Sequence, residues 1–230
     1  MNERQGSGGR VVFLFDVDNT LLDNDQVAAD LQRHLVSEVG LDGAQEYWRI
    51  FEQLRAELGY TDYLGALQRY RVEHPRAPHL LTVSHFLITY AFAERLFPDA
   101  LKVIKHVQQW GPAVILSDGD VVFQPLKINN SGLSRAVSGR VLIYVHKEQE
   151  LDDVEQRYPA EHYVMVDDKL RILTAIKRFW TSRVTTIFVR QGHYAADSKT
   201  TASYPAADIT IERIGDLLTD QLPDLLKTKT

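Results

Sequence analysis

Aspartates follow two short apolar runs that lie far apart in the sequence. V-V-F-L-F leads into Asp16 and Asp18. Much later, Y-V-M-V leads into Asp167 and Asp168. Apolar runs of this length are typical of buried strands in a parallel sheet. Because the carboxyl ends of parallel strands meet at one edge of the sheet, we expect these four carboxylates to lie together.

Two further polar residues stand in equivalent places. Ser117 follows A-V-I-L, and Lys147 follows V-L-I-Y-V-H. Clustered carboxylates repel one another, so their pKa values rise unless a cation lies between them. Mg²⁺ suits such a cluster, because it binds carboxylate oxygens and keeps positions for water and phosphate oxygens. A nearby lysine and hydroxyl would complement a phosphoryl group.

The spacing of the first pair suggests separate roles. Residues at i and i+2 on an extended segment point to the same side. Asp16 can therefore attack phosphorus and form an acyl-phosphate, which divides one difficult step into two easier ones. Asp18 can reach the leaving-group oxygen, or the water that attacks later.

The order of elements indicates how these residues are positioned. Short β-rich runs predict strands at Val11–Phe15, Ala113–Leu116, Val141–Val145, Tyr163–Val166, Val184–Val189 and Asp208–Ile211. Amphipathic stretches between them predict helices at Asp99–Trp110, Val121–Asn129, Glu148–Tyr158, Lys169–Trp180 and Glu212–Leu222. Alternating strands and helices indicate an α/β fold, a Rossmann-like parallel sheet flanked by helices.

The segment between the first two strands has a different pattern. It contains amphipathic stretches but no strand, at Gln26–Val39, Ala44–Leu58, Thr61–Val72 and Thr82–Leu96. Gly40, Gly59 and H-P-R-A-P at 74–78 mark boundaries between them. We therefore predict two domains, an α/β core of residues 1–22 and 97–230 and an inserted all-helical domain of residues 23–96.

Composition narrows the classes of partner. The 230-residue chain has a net charge of −5, 44% hydrophobic residues and no cysteine. Without a basic excess, we expect a small-molecule partner and neither a nucleic acid nor a membrane. The absence of cysteine excludes disulfides and thiolate catalysis. No apolar run approaches the roughly 18 residues that span a membrane. The first ten residues lack an apolar signal segment, so we expect a cytoplasmic protein.

The motif residues resemble a known family. D-V-D-N-T at 16–20, followed by L-L-D, resembles motif I (DxDx[TV]) of the haloacid dehalogenase superfamily of phosphohydrolases. Ser117 corresponds to its motif II, Lys147 to motif III and V-D-D at 166–168 to motif IV. The resemblance extends from about residue 11 to residue 222, and the helical insert stands where the family's C1 caps occur.

The resemblance implies a role for each residue around the phosphoryl group. Asp16 would be the nucleophile and a Mg²⁺ ligand. Asp18 would be the acid/base, with its backbone carbonyl on the metal. Ser117 would hydrogen-bond the phosphoryl group, together with backbone N–H groups near Asp118 and Gly119.

It also implies roles for the remaining motif residues. Lys147 would neutralise charge on the nucleophile and phosphate. Asp167 would be the third protein ligand of Mg²⁺. Asp168 would support that ligand without touching the ion, or would bind the ion through a water molecule. Motif IV departs from the form G-D-x-x-x-D, because Arg171 and Ile172 stand where the second acid would fall. The division of roles between Asp167 and Asp168 therefore stays open.

The implied function is that of a Mg²⁺-dependent phosphatase, which hydrolyses a small phosphorylated metabolite through an aspartyl-phosphate. A phosphomutase would use the same residues. True haloacid dehalogenases lack an aspartate two residues after the nucleophile, so Asp18 argues against dehalogenation. A non-catalytic binding protein of this fold would have lost site residues, yet all of them are present.

Several other residues carry weaker expectations. Lys127 is a rival to Lys147 for the motif III role. His146 could line the pocket, and no histidine spacing indicates a zinc site. The aromatic residues of the insert should mostly pack between helices, with one or two facing substrate. R-Q-G-H-Y at 190–194 follows a predicted strand and could contact the mouth of the active site.

Overall fold

A computed structural model describes residues 11–77 and 79–219. Its parallel strands are β1 (Val11–Phe15), β2 (Ala113–Asp118), β3 (Val141–Tyr144), β4 (His162–Asp167), β5 (Val184–Val189) and β6 (Ile209–Ile211). They form one six-stranded sheet in the order β3-β2-β1-β4-β5-β6. The predicted parallel α/β sheet is confirmed, and β1 lies where the strand order reverses.

Helices fill the connections between the strands. They are α1 (Asn24–Leu58), α2 (Tyr63–Glu73), α3 (Leu80–Thr89), α4 (Ala100–Val107), α5 (Phe123–Asn130), α6 (Leu133–Ala136), α7 (Leu151–Arg157), α8 (Leu170–Trp180), α9 (Gly192–Ala196) and α10 (Ser198–Ala202). Short 3-10 turns lie at Phe92–Arg95, Lys147–Gln149, Thr181–Arg183 and Ile214–Leu217. No helix of the described residues is long and apolar enough to cross a membrane.

β1 is buried on both faces. Val12 and Leu14 belong to one buried cluster, which includes the apolar residues of α7 and α8. Phe13 and Phe15 belong to the other, which includes those of α4 and α5. Burial of each such side chain contributes about 1.5–3 kcal/mol. This two-sided burial explains why the strand reads as a continuous apolar run instead of an alternating one.

The long helix α1 contains an internal break. Gly40 adopts φ 74° and ψ 175°, outside helical geometry, so the helix continues on both sides of a single displaced residue. The helix ends at Gly59, which adopts φ 82° and donates its N–H to the Arg55 carbonyl at 2.9 Å. Glycine tolerates these left-handed conformations without steric cost. Both glycines therefore mark the predicted boundaries, the first as a break and the second as an end.

Two predicted helices differ from the observed ones. The stretch Thr82–Leu96 ends its α-helix at Thr89, because Tyr90 turns its hydroxyl to Asp30, which also pairs with Arg95 at 3.0 Å. The helix predicted at Glu212–Leu222 is wrong over its described part, which contains only the 3-10 turn Ile214–Leu217.

The Asp216 side chain explains why the described part of Glu212–Leu222 is not an α-helix. Asp216 accepts the backbone N–H groups of Glu212 and Arg213 at 3.1 and 2.9 Å, which favours a tight turn over a helix.

Residues 1–10, Pro78 and 220–230 lie outside the described part of the chain. Between β1 and β2 the described residues form helices and turns without a strand. The division into two domains stays a prediction.

Candidate active site

The loop after β1 is a tight turn that presents both aspartates of the first motif. The Val17 carbonyl accepts the N–H groups of Leu21 and Leu22 at 2.9 and 3.0 Å. Asn19 adopts φ 61°, a left-handed conformation that asparagine tolerates better than most residues. As a result Asp16 and Asp18 line the same cavity.

Asn19 also fixes the start of α1. Its Oδ1 accepts the backbone N–H groups of Asn24 and Asp25 at 3.0 and 3.2 Å, and its Nδ2 donates to Asp25 Oδ1 at 2.9 Å. The other Asp25 oxygen accepts the backbone N–H of His193 at 2.7 Å. One asparagine thus joins the aspartate loop, the first turn of α1 and the loop after β5.

Lys147 joins the ends of three strands. Its ammonium lies 2.5 Å from Asp16 Oδ1, 2.7 Å from Asp167 Oδ2 and 3.3 Å from the Leu116 carbonyl oxygen. All three side chains of this ion cluster are at most 4% exposed. Burial lowers the pKa of Lys147, but the surrounding carboxylates outweigh burial and the net direction is upward. The lysine is therefore a fixed cation beside Asp16.

A buried carboxylate cluster lies next to this lysine. Asp16, Asp167 and Asp168 each offer an oxygen, and these atoms lie within 4.8 Å of one another. Burial raises the pKa of Asp167 to about 6 and raises the pKa of Asp168 well above its usual range. Asp16 Oδ2 and both Asp168 oxygens are buried without a hydrogen-bond partner. Hard oxygen ligands with no partner fit a divalent cation such as Mg²⁺.

The contacts bear on the open division between the two motif IV aspartates. Asp167 Oδ1 accepts the Lys169 N–H at 2.8 Å, and its Oδ2 faces the Lys147 ammonium. Asp167 Oδ2 makes this ion pair with Lys147 without a hydrogen bond, whereas both Asp168 oxygens have neither an ion-pair partner nor a hydrogen-bond partner among the described residues. Asp168 could therefore bind a metal ion directly with Asp167 as its support, the reverse of the roles that the resemblance implies.

The Asp18 carboxylate forms an ion pair with a second buried lysine, Lys127. Lys127 Nζ lies 2.6 Å from Asp18 Oδ1 and donates to Asn24 Oδ1 at 2.9 Å. Gln124 Nε2 lies 3.4 Å from the second Asp18 oxygen. Lys127 and Lys147 were alternatives at the sequence level, but the structure places both of them in the site, each on a different aspartate.

Ser117 lies at the end of β2 and is 1% exposed. Its hydroxyl oxygen accepts from Gln124 Nε2 at 2.9 Å and donates to the Asp118 carbonyl at 3.3 Å. Gln124 therefore touches both Ser117 and Asp18, a role that the sequence did not signal. Its place in the first turn of α5 brings it back over the end of β2.

The residues after Ser117 have a different arrangement from the predicted one. The Gly119 N–H donates to the Tyr144 carbonyl at 3.0 Å, so this amide is already used between β2 and β3 and the predicted phosphate contact is not supported. Asp118 Oδ1 accepts the Lys147 backbone N–H at 2.7 Å. Burial raises the pKa of the Asp118 carboxyl. Asp118 therefore positions the lysine-bearing loop.

A cavity of about 240 Å³ opens above these residues. It is lined by Asp16, Asp18, Arg55, Gly59, Tyr60, Thr61, Ser117, Asp118, Asp168, Lys169, Leu170, Arg171, Tyr194, Thr201 and Tyr204. Its floor is formed by Asp16, Asp18, Ser117, Asp118 and Asp168, and the end of α1 with the loop that follows forms part of its wall. From the segment 190–194, Tyr194 reaches this cavity, and from the aromatic residues of the insert, Tyr60 does so.

The structure shows where His146 lies and which histidine stands in a second possible metal group. His146 does not line the cavity; its ring packs on Gly59, where a Cβ atom would come within 2.7 Å of the imidazole. A second possible metal group, Glu46, Glu73 and His74, lies at the surface of the insert. Arg49 already pairs with both of its carboxylates, at 2.5 and 3.4 Å. We therefore assign it no metal.

Comparison with known proteins agrees with the geometry. Residues 11–179 match the model of the haloacid dehalogenase-like hydrolase family. A haloacid dehalogenase-like hydrolase from Burkholderia xenovorans LB400 is 62% identical, with a TM-score of 0.88 over 93% of this chain and 100% of that one. No curated protein matches the sequence.

More distant structures share the fold alone. The HAD-hydrolase YfnB from Bacillus subtilis, bound to magnesium, is 19% identical with a TM-score of 0.58 over 91% of this chain and 97% of its own. L-2-haloacid dehalogenase from Xanthobacter autotrophicus, with chloropropionic acid covalently bound, is 18% identical with a TM-score of 0.58 over 94% and 98%. The family match spans most of the chain, and the chain belongs to the haloacid dehalogenase-like hydrolases.

Proposed function

We propose that this hydrolase is a cytoplasmic, Mg²⁺-dependent phosphatase that acts on a small phosphorylated metabolite. The observation that carries the proposal is the pair of surroundings that the two Asp16 carboxylate oxygens have. One of its oxygens is fixed by the Lys147 ammonium, and the other is buried without a partner beside the unpartnered Asp168 carboxylate. A carboxylate held this way can bind a metal ion and attack an electrophile at the same time. The cysteine-free composition suits a reducing compartment.

The metal site is assigned to Asp16 and Asp168, with the Asp18 backbone carbonyl as a further candidate from the family resemblance. Their free oxygens are the hard ligands that Mg²⁺ prefers. When bound, the ion supplies positive charge for the phosphoryl oxygens. YfnB, which shares the fold, binds magnesium.

The chain's own residues account for two chemical steps. In the first, the Asp16 carboxylate bonds to phosphorus while the bond from phosphorus to the leaving oxygen breaks, and Asp18 gives that oxygen a proton. In the second, Asp18 takes a proton from a water that attacks the same phosphorus. The phosphorus–Asp16 bond then breaks, which releases inorganic phosphate and restores the Asp16 carboxylate and the protonated Asp18 carboxyl group.

The neighbouring side chains prepare these steps. Lys147 offsets negative charge that collects on Asp16 and the phosphoryl oxygens. Ser117 places a hydroxyl beside Asp18 through their common neighbour Gln124. Because these groups are fixed by buried contacts before substrate arrives, little reorganisation is needed during the reaction.

The competing activities differ in their products. A phosphomutase would return the phosphoryl group to a sugar, and a dehalogenase would release halide without a metal. Asp18 argues against the dehalogenase, because its carboxylate is held over the cavity by Lys127 where a proton donor is needed for an alcohol leaving group. A non-catalytic protein would bind Mg²⁺ and turn over no ester.

The test is hydrolysis of p-nitrophenyl phosphate by pure protein with Mg²⁺ or with EDTA. We expect Mg²⁺-dependent phosphate release that Asp16→Asn abolishes while the circular dichroism spectrum is unchanged. Asp152→Asn, an exposed carboxylate in the first turn of α7, is the matched control and should retain activity. Retained hydrolysis by Asp16→Asn would overturn the nucleophile. Halide release from 2-chloropropionate, or an isomerised sugar phosphate, would replace the phosphatase with the corresponding alternative.

A further inference from the structure

Two cations flank one aromatic ring on the cavity wall. Arg55, near the end of α1, lies with its guanidinium carbon 5.9 Å from the centre of the Tyr194 ring and hydrogen-bonds the Tyr194 hydroxyl. Lys169, directly before α8, lies with Nζ 5.0 Å from the same ring centre. All three residues line the cavity above the aspartates. The end of α1 and the connection between β4 and α8 therefore each contribute one positive charge to the same part of the cavity.

Neither cation is closely neutralised. The carboxylate nearest to Arg55 is Glu52 at 3.4 Å, and both side chains of this pair are more than a third exposed, so the pair is weak. By contrast, Arg171 on the same cavity is paired with Glu148 at 2.6 Å. The Arg55 charge is thus available to a ligand, whereas the Arg171 charge is largely offset.

Lys169 differs from the two catalytic-site lysines. Lys127 and Lys147 each have a carboxylate oxygen within 2.7 Å, whereas no carboxylate oxygen of the described residues lies within 4.0 Å of Lys169 Nζ. The negative charges that Lys169 senses are those of Asp168, Asp16 and Asp167. A divalent cation held by that cluster would offset these same charges and would leave the Lys169 ammonium free to bind another anion.

Apart from Arg171, which is paired with Glu148, the rest of this wall is neutral. Tyr60, Thr61 and Tyr204 contribute hydroxyl groups, and Leu170 contributes an apolar surface. The carboxylates among the cavity's lining residues all belong to the floor. The cavity volume of about 240 Å³ lies below the 300–1,000 Å³ of drug-sized sites, so the ligand is small.

From this arrangement we propose that the preferred substrates are phosphate monoesters whose alcohol portion carries a second anionic group, held between Arg55 and Lys169 beside Tyr194. The shared chemistry is a carboxylate or a second phosphate, either of which suits the Arg55 guanidinium. The proposal rests on the phosphatase function proposed above. Because Arg55 comes from the insert and Lys169 from the connection between β4 and α8, such an anion would also bridge these two segments over the aspartates.

The first experiment compares esters that differ only in the second charge. The phosphate ester of 3-hydroxypropionate and 1,3-propanediol bisphosphate are each compared with propyl phosphate under Mg²⁺. We expect kcat/KM to be roughly 10- to 100-fold higher for at least one charged ester, the range of one or two charge-assisted hydrogen bonds. The better of the two identifies the second group as carboxylate or phosphate.

Variants then test whether Arg55 and Lys169 on the cavity wall cause the preference for charged esters. Arg55→Gln should reduce the charged-to-neutral ratio of kcat/KM by about tenfold or more, and Arg55→Lys, which keeps the charge, should retain most of it. Arg49→Gln is the matched control, because Arg49 lies on the same helix but pairs with Glu46 away from the cavity. Lys169→Met should lower the ratio as Arg55→Gln does. Equal kcat/KM for charged and neutral esters in the unaltered protein, or a ratio that Arg55→Gln leaves unchanged, overturns the proposal.

A binding experiment separates this proposal from the phosphatase function. Calorimetry of the Mg²⁺-loaded protein compares 4-phosphonobutyrate with butylphosphonate, which cannot be hydrolysed. We expect tighter binding of the carboxylate-bearing compound by about tenfold or more, and Arg55→Gln should remove the difference. That result without turnover of any ester would reject the phosphatase and keep the anion site. Equal affinities, together with no preference for the bisphosphate, would reject the anion site even if esters are hydrolysed.

Discussion

The Lys127 ammonium lies 2.6 Å from Asp18 Oδ1, and the lysine side chain is only 1% exposed. It reaches Asp18 from α5, more than a hundred residues away in sequence, and also donates to Asn24 Oδ1 at 2.9 Å. A buried lysine with one carboxylate partner fixes the position of that partner. In this site the proposed acid/base has a cation of its own, separate from the one beside the nucleophile.

Lys127→Met should lower kcat by roughly 10- to 100-fold, because Asp18 loses the closest of the contacts that aim its carboxylate. Mg²⁺ affinity should change little, since Lys127 does not touch Asp16 or Asp168. Steady-state kinetics and Mg²⁺ calorimetry test the two statements on the same preparation. Lys102→Met, which removes an exposed lysine paired with Asp99, is the control. Unchanged kcat in a folded Lys127→Met protein would contradict this role.

Asp168→Asn should weaken Mg²⁺ binding more than Asp167→Asn does. Both Asp168 oxygens lack a partner among the described residues, whereas Asp167 Oδ1 accepts the Lys169 N–H and Asp167 Oδ2, without a hydrogen bond, forms an ion pair with Lys147. We expect a loss of at least ~10-fold in affinity for Asp168→Asn, measured by calorimetry at neutral pH. If Asp167→Asn costs more than Asp168→Asn, the direct ligand is Asp167, as the family resemblance implies.

The stabilising effect of Mg²⁺ should grow with pH. The Asp167 pKa is raised from 3.8 to about 6, so between these values the folded chain holds a proton that the unfolded chain has lost. The contribution of this group to stability is therefore present at low pH and lost as pH rises through about 6. Mg²⁺ bound to Asp16 and Asp168 would add positive charge beside Asp167, which would favour loss of this proton and relieve the repulsion between the ionised carboxylates.

Thermal denaturation with and without Mg²⁺, at pH 5 and at pH 7.5, measures this effect. The Mg²⁺-induced rise in Tm should be larger at pH 7.5, and Mg²⁺ affinity should fall by about tenfold per pH unit below 6 for each proton displaced. An equal rise in Tm at both pH values would show that the ion does not bind this carboxylate cluster.

Asn19→Ala and Asn19→Gly should separate two contributions of one residue. Both variants lose the hydrogen bonds to the Asn24 and Asp25 amides, which is worth about 0.5–2 kcal/mol for a helix cap. Alanine also pays about 1–2 kcal/mol for the left-handed conformation at φ 61°, and glycine does not. Urea denaturation should therefore find Asn19→Ala the less stable variant. Equal stabilities would mean that the turn relaxes.

The sequence by itself determined the sheet and its edge. β1 and β5 have the predicted bounds, because continuous apolar runs are typical of strands covered on both faces. Polar residues directly after such runs must then gather at the carboxyl edge, which brought Asp16, Ser117 and Lys147 together without any coordinates. The family motifs add a chemical role to residues that the topology had already placed in one cleft.

Only the tertiary structure decided which partner each side chain has. Sequence spacing could not choose between Lys127 and Lys147, because helix and loop geometry determine where a long side chain ends. It could not show that the Gly119 amide is used by Tyr144, or that Asp168 keeps both oxygens free. Arg55 and Lys169 carried no signal, since lysine and arginine on helices are usually solvated. Hydrogen bonds and ion pairs depend on distances of a few tenths of an ångström, and packing between distant elements sets those distances.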